Sequence, residues 1–199
     1  MSHKTHTEAD LVLASASPRR RELLEQIGVH FSLLPVDICE APFEGESPEL
    51  YVARLATEKA QAGFKHSAGK PVLGSDTTVV LDNKILGKPV DEQDCQTMLM
   101  ALSGRSHQVM TGVAITDSRG TQVRVVTTKV QFKPLTPERC KAYWASGEPQ
   151  DKAGAYGIQG LGAIFVDHIE GSYSSVVGLP LAETAEMLEH AGVPIWQTA

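Results

Sequence analysis

Near its start the chain carries the sequence Leu11-Val12-Leu13-Ala14-Ser15-Ala16-Ser17-Pro18-Arg19-Arg20-Arg21. The apolar residues 11–14 predict a short buried strand. Ser17 and Pro18 then predict the start of a helix, because serine is a common helix cap and proline fits the first helical position. This helix is expected to continue to Ile27 and to end at Gly28, a usual helix stop.

Outward from this stretch, predicted strands and helices follow one another along the chain. Residues 107–116 and 122–132 flank the turn 117–120, which predicts an antiparallel hairpin. A hairpin excludes a purely parallel sheet, so the sequence predicts an α/β or α+β fold built on a mixed sheet. The other predicted strands are 31–36, 72–73, 79–81, 85–86 and 163–169. The other predicted helices are 48–64, which follows the cap Ser47, a helix capped by Asp91, and the helices 137–145 and 180–191.

Composition and charge exclude several classes of protein. The 199 residues suit one domain, in which residues 1–10 are expected to form a polar tail. A formal net charge of −6 gives no basic field, so neither nucleic acid nor an anionic membrane is expected as a partner. No apolar run approaches the roughly 18 residues that a membrane helix needs. The three cysteines are widely spaced, which favours reduced thiols in a cytoplasmic protein.

Several common catalytic motifs are absent from the sequence. It contains no P-loop for phosphate, no His-Glu-x-x-His and no Gly-x-Ser-x-Gly. A glycine cluster does occur late in the chain, but its order, Gly157-x-x-Gly160-x-Gly162, is not the order of a dinucleotide-binding motif. We expect residues 151–162 to form a flexible loop.

Three arginines, Arg19 to Arg21, lie in the first turn of the first predicted helix. A helix N-terminus already carries about +0.5 of a charge, so each cation there costs on the order of 0.3–1 kcal/mol. The arrangement makes sense if an anion docks at this end and is held by backbone N–H groups, serine hydroxyls and guanidinium groups. Helical geometry lets Arg19 and Arg20 face the anion while Arg21 faces solvent. A solvated basic turn paired with Glu22 and Glu25 is the alternative.

Three further residues are candidates for chemistry or binding. Asp76 follows Gly74 and Ser75 at an expected strand end, where a carboxylate could hold a divalent cation or take a proton from water. An Asx turn between two strands is the alternative explanation of this residue. Lys88, in a Gly-Lys-Pro turn, could clamp a phosphate or remain a solvated lysine. The side-chain amide of Gln159 can offer both a donor and an acceptor to the edge of a base.

These features occur together and in order in one known family. The chain resembles the Maf-like nucleotide pyrophosphatases from about residue 11 to about residue 190. The matching blocks are Leu13-Ala14-Ser15-Ala16-Ser17-Pro18-Arg19-Arg20, Ala56-Thr57-Glu58-Lys59-Ala60, Gly74-Ser75-Asp76-Thr77, Gly87-Lys88-Pro89, Leu102-Ser103-Gly104, Asp151-Lys152-Ala153-Gly154-Ala155-Tyr156-Gly157-Ile158-Gln159-Gly160 and Val177-Gly178-Leu179-Pro180. Ordered blocks of this kind are far more specific than any single motif.

The resemblance implies a fold similar to that of the inosine-triphosphate pyrophosphatases. That fold is an elongated mixed sheet with two lobes around a cleft, formed here by residues 11–199. The implied reaction is hydrolysis of a nucleoside triphosphate to the monophosphate and pyrophosphate with a divalent metal, Mg²⁺, Mn²⁺ or Co²⁺. In this pattern Asp76 is similar to the general base, and Glu40 joins Asp76 at the metal site. The residues that resemble phosphate contacts are Ser15, Arg19, Arg20, Lys59, Lys88 and Lys152.

Three positions resemble the pyrimidine branch of the family, which acts on dTTP and UTP. They are Arg19, Thr77 and Gln159, where the branch that acts on N7-methyl-GTP tends to have tryptophan, glutamine and glutamate. A neutral glutamine can complement the mixed donor and acceptor edge of uracil or thymine, whereas a glutamate suits a cationic methylguanine.

Two other interpretations remain open at this point. The same chemistry could act on N7-methyl-GTP or another modified nucleotide, or the chain could be a nucleotide-binding regulator of cell division with vestigial hydrolysis. The presence of Asp76 and its basic neighbours counts against the regulator, because a binder needs no water-activating carboxylate. The resemblance also implies a homodimer.

Overall fold

A seven-stranded mixed sheet forms the centre of the molecule. The structure is a computed structural model that describes residues 9–197, so most of the polar tail expected over residues 1–10 lies outside the described residues. The strands are β1 (Leu11–Leu13), β2 (Phe31–Leu33), β3 (Val72–Leu81), β4 (Lys84–Leu86), β5 (Ser106–Asp117), β6 (Gly120–Phe132) and β7 (Val166–Glu170). Their order is β2-β1-β3-β5-β6-β7, and β4 pairs with β3. β1 is parallel to β2 and β3, while the other pairs are antiparallel, which confirms the predicted mixed sheet.

Helices flank this sheet, most of them where the sequence predicts them. They are α1 (Pro18–Gln26), α2 (Pro48–Phe64), α3 (Glu92–Leu102), α4 (Pro137–Ala145), α5 (Tyr173–Val177) and α6 (Leu181–His190), with short 3-10 helices at Glu148–Asp151, Ala153–Ala155 and Leu161–Phe165. The Ser47 and Asp91 side chains cap α2 and α3 by accepting from Leu50 N and Asp94 N. Ser17 precedes α1 but makes no side-chain cap. None of the described helices is long and apolar enough to cross a membrane.

β3 is one continuous strand, so the prediction of two strand pieces around residues 74–77 is wrong. Along one edge it pairs with β5 from Val72 to Val80. Along the other edge β1 pairs with Val72 and Leu73, and β4 pairs with residues 79–81. Within the described chain no strand pairs with residues 74–78 on this second edge. Asp76 therefore lies in the middle of a strand, beside a gap in the sheet, and not at a strand end.

Small residues in β3 and β5 let α2 lie directly on the sheet. A Cβ atom on Gly74 would overlap the Ala56 carbonyl oxygen, and one on Gly112 would overlap the Val52 carbonyl oxygen. Side chains alternate along a strand, so Gly74 and Asp76 face α2 while Thr77 faces the opposite side of the sheet. The larger hydrophobic core lies on that opposite side, and only small apolar clusters lie under α2.

Two predicted strands have different boundaries in the structure, and one helix was not predicted. The strand expected over 163–169 begins only at Val166, because Leu161–Phe165 forms a 3-10 helix first. The strand expected over 31–36 ends at Leu33. The short helix α5 was not predicted from sequence. The hairpin is confirmed, and β5 and β6 pair from Ser106 to the turn, where Asp117 opposes Gly120.

Candidate active site

A cleft of about 940 Å³ opens where the edge of β3 has no partner strand. Because the gap gives access to both sides of the sheet, the cleft is lined by α1, α2, β3 and the segment that follows α4. Each site residue predicted from sequence lines it: Ser15, Arg19, Arg20, Glu40, Lys59, Asp76, Thr77, Lys88, Lys152 and Gln159. Residues that are far apart in sequence are thus brought to one site.

Lys59 joins two carboxylates on the α2 side of the cleft. Its Nζ lies 2.6 Å from Oε1 of Glu40 and 2.8 Å from Oδ1 of Asp76. Lys59 and Asp76 are each 9% exposed, so this ion pair is largely shielded from water. Because β3 is packed against α2, the strand fixes the Asp76 carboxylate and the helix fixes the ammonium group that holds it.

The loop that carries Glu40 is fastened to α2. The Tyr51 hydroxyl donates to the carbonyl oxygen of Glu40 at 2.9 Å. Arg54 donates to the Ala41 carbonyl oxygen at 3.1 Å. It also forms a bidentate ion pair with Glu46, from Nε to Oε1 at 2.6 Å and from Nη2 to Oε2 at 2.8 Å. These contacts hold the loop close enough for the Glu40 carboxylate to reach Lys59.

Charges around Glu40 favour its ionised form. Partial burial alone would raise the pKa of Glu40, but the hydrogen bond and charge of Lys59 outweigh burial, and Lys88 and Arg20 add to the effect. The pKa of this carboxyl group consequently lies below its ordinary value. Glu40 is thus an anion at neutral pH, surrounded by cations that a polyphosphate could share.

Arg20 connects three parts of the cleft wall. Its guanidinium donates to the Ser15 hydroxyl at 3.2 Å, to the Thr77 hydroxyl at 3.2 Å and to the Gly178 carbonyl oxygen at 2.9 Å. Burial lowers the pKa of Arg20, and the negative charge of Asp76 opposes this shift. A guanidinium group has five N–H donors, so Arg20 can keep these contacts and still donate to a ligand.

The remaining cations surround the mouth of the cleft. Arg19 is half-buried and Lys88 is exposed. The Lys152 Nζ donates to Oδ1 of Asp151 and to the backbone carbonyl oxygen of Glu148, each at 2.7 Å. Arg21 does not line the cleft and pairs with Glu25 on the surface, which agrees with its predicted orientation toward solvent.

Two of the three residues predicted to set base choice, Thr77 and Gln159, lie in different environments. The Thr77 hydroxyl is partly buried and lies 3.0 Å from the Thr111 hydroxyl as well as contacting Arg20. Gln159 is exposed within the glycine-rich segment, where its side chain can meet a ligand. Sequence reasoning missed Tyr51 and Glu148, which also line the cleft. Gly160 was the available signal for Glu148, since a Cβ atom at this position would overlap the Glu148 carboxylate.

The donor set of the cleft fits a divalent cation that is shared with phosphate. Among residues 9–197 there is no group of three or more His, Cys, Asp or Glu side chains that could hold a metal alone. Glu40 and Asp76 nevertheless converge on one Lys59 nitrogen, which brings two carboxylates together. Mg²⁺ is commonly held by one or two carboxylates, substrate phosphates and water. Five cationic and five acidic side chains line the cleft, so a bound triphosphate would add uncompensated negative charge.

Comparison with known proteins places this geometry in a family. A family model described as Maf-like protein matches residues 10–191. A dTTP/UTP pyrophosphatase from Saccharophagus degradans is 53% identical, over 98% of this chain and 95% of that protein. One from Shewanella sp. (strain MR-7) is 57% identical, over 92% of this chain and 99% of that protein. A HAM1 protein from Coxiella burnetii has a similar fold, with a TM-score of 0.53, 18% identity and coverage of 92% and 100% of the two chains.

Proposed function

Because the chain belongs to the Maf-like protein family, we propose that it hydrolyses dTTP and UTP to the nucleoside monophosphate and pyrophosphate. The observation that carries this proposal is the contact of Lys59 with both Glu40 and Asp76 inside a cleft lined by four other cations. A protein that only binds nucleotide needs no buried carboxylate such as Asp76 beside the phosphate-binding cations, because it activates no water. Relatives named dTTP/UTP pyrophosphatase support the reaction and the choice of pyrimidine nucleotides.

The cations of the cleft bind the triphosphate. Arg20 uses its remaining N–H donors, and the Ser15 hydroxyl beside it adds a further hydrogen bond. Arg19, Lys88 and Lys152 line the cleft, and their long side chains can reach the β- and γ-phosphates. Electrostatic stabilisation of this kind provides most of the rate in phosphoryl transfer, because it acts on charge that develops on the leaving group.

Asp76 is the general base in this proposal. Its carboxylate takes a proton from a water molecule whose oxygen attacks the α-phosphorus, and the bond from that phosphorus to the bridging oxygen breaks. Pyrophosphate leaves with the electron pair of that bond, and the neighbouring cations neutralise it. Lys59 holds the Asp76 carboxylate in place. A divalent cation, Mg²⁺, Mn²⁺ or Co²⁺, held by Glu40, Asp76 and phosphate oxygens would neutralise charge and orient the triphosphate.

Gln159 reads the base, and Thr77 and Arg19 assist it. The Gln159 amide can pair with the acceptor and donor edge of uracil or thymine. Thr77 accepts a hydrogen bond from Arg20, which binds phosphate in this proposal. Thr77 therefore links the residues that bind the base to those that bind the phosphates. We further propose that the enzyme is cytoplasmic, which its widely spaced cysteines favour, and that it works as a homodimer, which the family resemblance implies.

A panel of nucleotides tests this function. We expect pyrophosphate release with Mg²⁺ from dTTP and UTP to exceed that from CTP, GTP, ATP and N7-methyl-GTP by at least about tenfold in kcat/KM. Preference for N7-methyl-GTP would contradict the assignment of Gln159 while leaving the reaction intact. Tight binding without release from any nucleotide would contradict the hydrolase and favour the regulator.

A further inference from the structure

The segment of residues 157–162 is the glycine-rich run that resembles no standard phosphate loop. Glycine-rich loops commonly turn their backbone N–H groups toward a bound anion. Here those N–H groups already have an anion to bind, and that anion is a side chain of the protein. The segment also carries Gln159, so whatever shapes it controls where Gln159 lies.

The anion is the carboxylate of Glu148, which follows α4. Its Oε2 accepts from the backbone N–H of Leu161 at 2.7 Å, and its Oε1 accepts from that of Gly162 at 3.0 Å. The Tyr143 hydroxyl also donates to Oε1 at 2.7 Å. The same hydroxyl accepts from the backbone N–H of Gly157 at 3.0 Å. One carboxylate and one phenol thereby hold both ends of the segment.

The glycines are explained by this packing. A Cβ atom on Gly160 would overlap the Glu148 carboxylate itself. One on Gly162 would lie 2.7 Å from the Tyr143 hydroxyl, and one on Gly157 would lie 2.8 Å from Lys152 Cε. Only glycine allows the backbone to wrap so closely around the carboxylate and the phenol. The internal ligand therefore explains Gly160 and Gly162, whereas a side chain at Gly157 would meet mainly the flexible end of Lys152.

The surroundings keep Glu148 ionised and Tyr143 protonated. Desolvation alone would raise the pKa of Glu148, but the N–H groups of Leu161 and Gly162, the Tyr143 hydroxyl and the charge of Lys152 together lower it. Burial and the hydrogen bond to Glu148 raise the pKa of Tyr143. Donor and acceptor thus keep complementary forms at neutral pH, which makes this a charge-assisted contact.

We propose that Glu148 and Tyr143 are a positioning pair that sets base discrimination by fixing the segment that carries Gln159. The inference rests on the proposed function, because it concerns which base the enzyme accepts. Glu148 is not a metal ligand or a general base in this scheme, since both of its oxygens accept hydrogen bonds from the protein. The Glu148 backbone carbonyl oxygen also accepts a hydrogen bond from Lys152, a proposed phosphate contact. The residue that positions Gln159 therefore also positions one of the phosphate-binding cations.

The test compares UTP with CTP, two nucleotides that differ in the base edge that Gln159 would read. For Glu148→Gln we expect the ratio of kcat/KM for UTP to that for CTP to fall by at least about tenfold, the loss typical of a hydrogen bond to a charged group. The fall should come from a higher KM for UTP, with kcat at saturation within about threefold of wild type, because the cations and Asp76 stay in place. Tyr143→Phe should act in the same direction.

Matched controls and a direct structural measurement complete the experiment. Glu189→Gln and Tyr173→Phe change the same residue types at exposed positions outside the cleft and should leave the ratio unchanged. Amide hydrogen exchange at Leu161 and Gly162 should be faster in Glu148→Gln than in wild type, because glutamine keeps only one acceptor oxygen and turns an NH2 donor toward the other backbone N–H. If Glu148→Gln does not fold, Tyr143→Phe carries the test.

The outcomes separate this inference from the proposed function. An unchanged UTP to CTP ratio in folded Glu148→Gln and Tyr143→Phe would overturn the inference while the reaction stands. If the wild type hydrolyses no nucleotide, the proposed function is wrong, and the ratio of UTP to CTP dissociation constants replaces the kinetic ratio. An equal binding ratio in wild type and Glu148→Gln, with equal amide exchange, would then overturn the inference as well.

Discussion

At the scale of single residues, His107 on β5 is a titratable group that the proposed reaction does not use. It is 3% exposed and packs edge-on against the rings of Phe132 and Tyr156. Its Nε2 lies 2.8 Å from the Tyr156 hydroxyl, whereas its buried Nδ1 has no hydrogen-bond partner among residues 9–197. Burial lowers the pKa of His107 to about 4.

This histidine should make the protein less stable in acid. Its pKa is near 6.5 when unfolded and lower when folded, so the unfolded chain binds the proton more readily. Above about pH 6.5 the histidine is neutral in both states, and its full contribution to the free energy of unfolding is present. As pH falls from about 6.5 through 4, the unfolded chain binds the proton first, and about 3 kcal/mol of that free energy is lost in total. His107→Gln, which cannot titrate, should lose less of its unfolding free energy over that range. Parallel curves for the two proteins in urea unfolding from pH 7 to 4.5 would contradict this.

Individual site residues could be found in the sequence, but their partners could not. Arg19 and Arg20 were recognisable because cations at a helix N-terminus are costly without an anion, and Asp76 because its small neighbours leave room for a ligand or metal. The contact of Lys59 with both Glu40 and Asp76 depends on a helix and a loop that meet over one strand. Contacts between elements that are distant in sequence are set by tertiary packing, so no local sequence pattern predicts them.

At the scale of elements, the close approach of α2 to β3 positions Lys59 beside Asp76. Gly74→Ala would place a methyl group against the backbone of Ala56 and Ala60 and push the helix away. We expect the free energy of unfolding to fall by about 1–3 kcal/mol, the usual cost of overpacking. Gly87→Ala is the matched control, since nothing lies within 4 Å of its added Cβ, and it should change stability by no more than about 0.5 kcal/mol.

Chemical denaturation of the two glycine variants measures this difference directly. Activity should fall with stability in Gly74→Ala, because the shift also moves Lys59 relative to Asp76. Equal stability of Gly74→Ala and Gly87→Ala would contradict the claim that α2 packs on β3 only because residue 74 has no side chain.

Most elements followed from hydrophobic pattern and capping, and the exceptions have physical reasons. α2 and α3 begin at the predicted caps, and the β5–β6 hairpin follows from its turn. β3 was divided in the prediction because residues 74–77 are small or polar, as in a turn. In the structure Gly74 makes room for α2 and the polar side chains of this stretch face the cleft or bond across the sheet. Pairing with β5, which is remote in sequence, keeps the stretch extended.

At the scale of the whole molecule, sheet topology produces the cleft and charge placement makes it selective. β1 and β4 pair with opposite ends of the same β3 edge, and the site occupies the gap that they leave. The chain carries a net charge of −6, so anionic ligands are attracted only where cations are concentrated. The balance of acidic and basic side chains in the cleft explains why a polyphosphate would bind there with a cation.

The most direct test of the central claim is pyrophosphate release from UTP by wild type and by Asp76→Asn. We expect the variant to lose at least about 100-fold in kcat, the usual contribution of a general base, while UTP still binds. Asp167→Asn, at an exposed position on β7, should retain wild-type turnover. Near-normal turnover by Asp76→Asn would contradict the assignment of Asp76 as the base and, with it, the account of the cleft as a hydrolytic site.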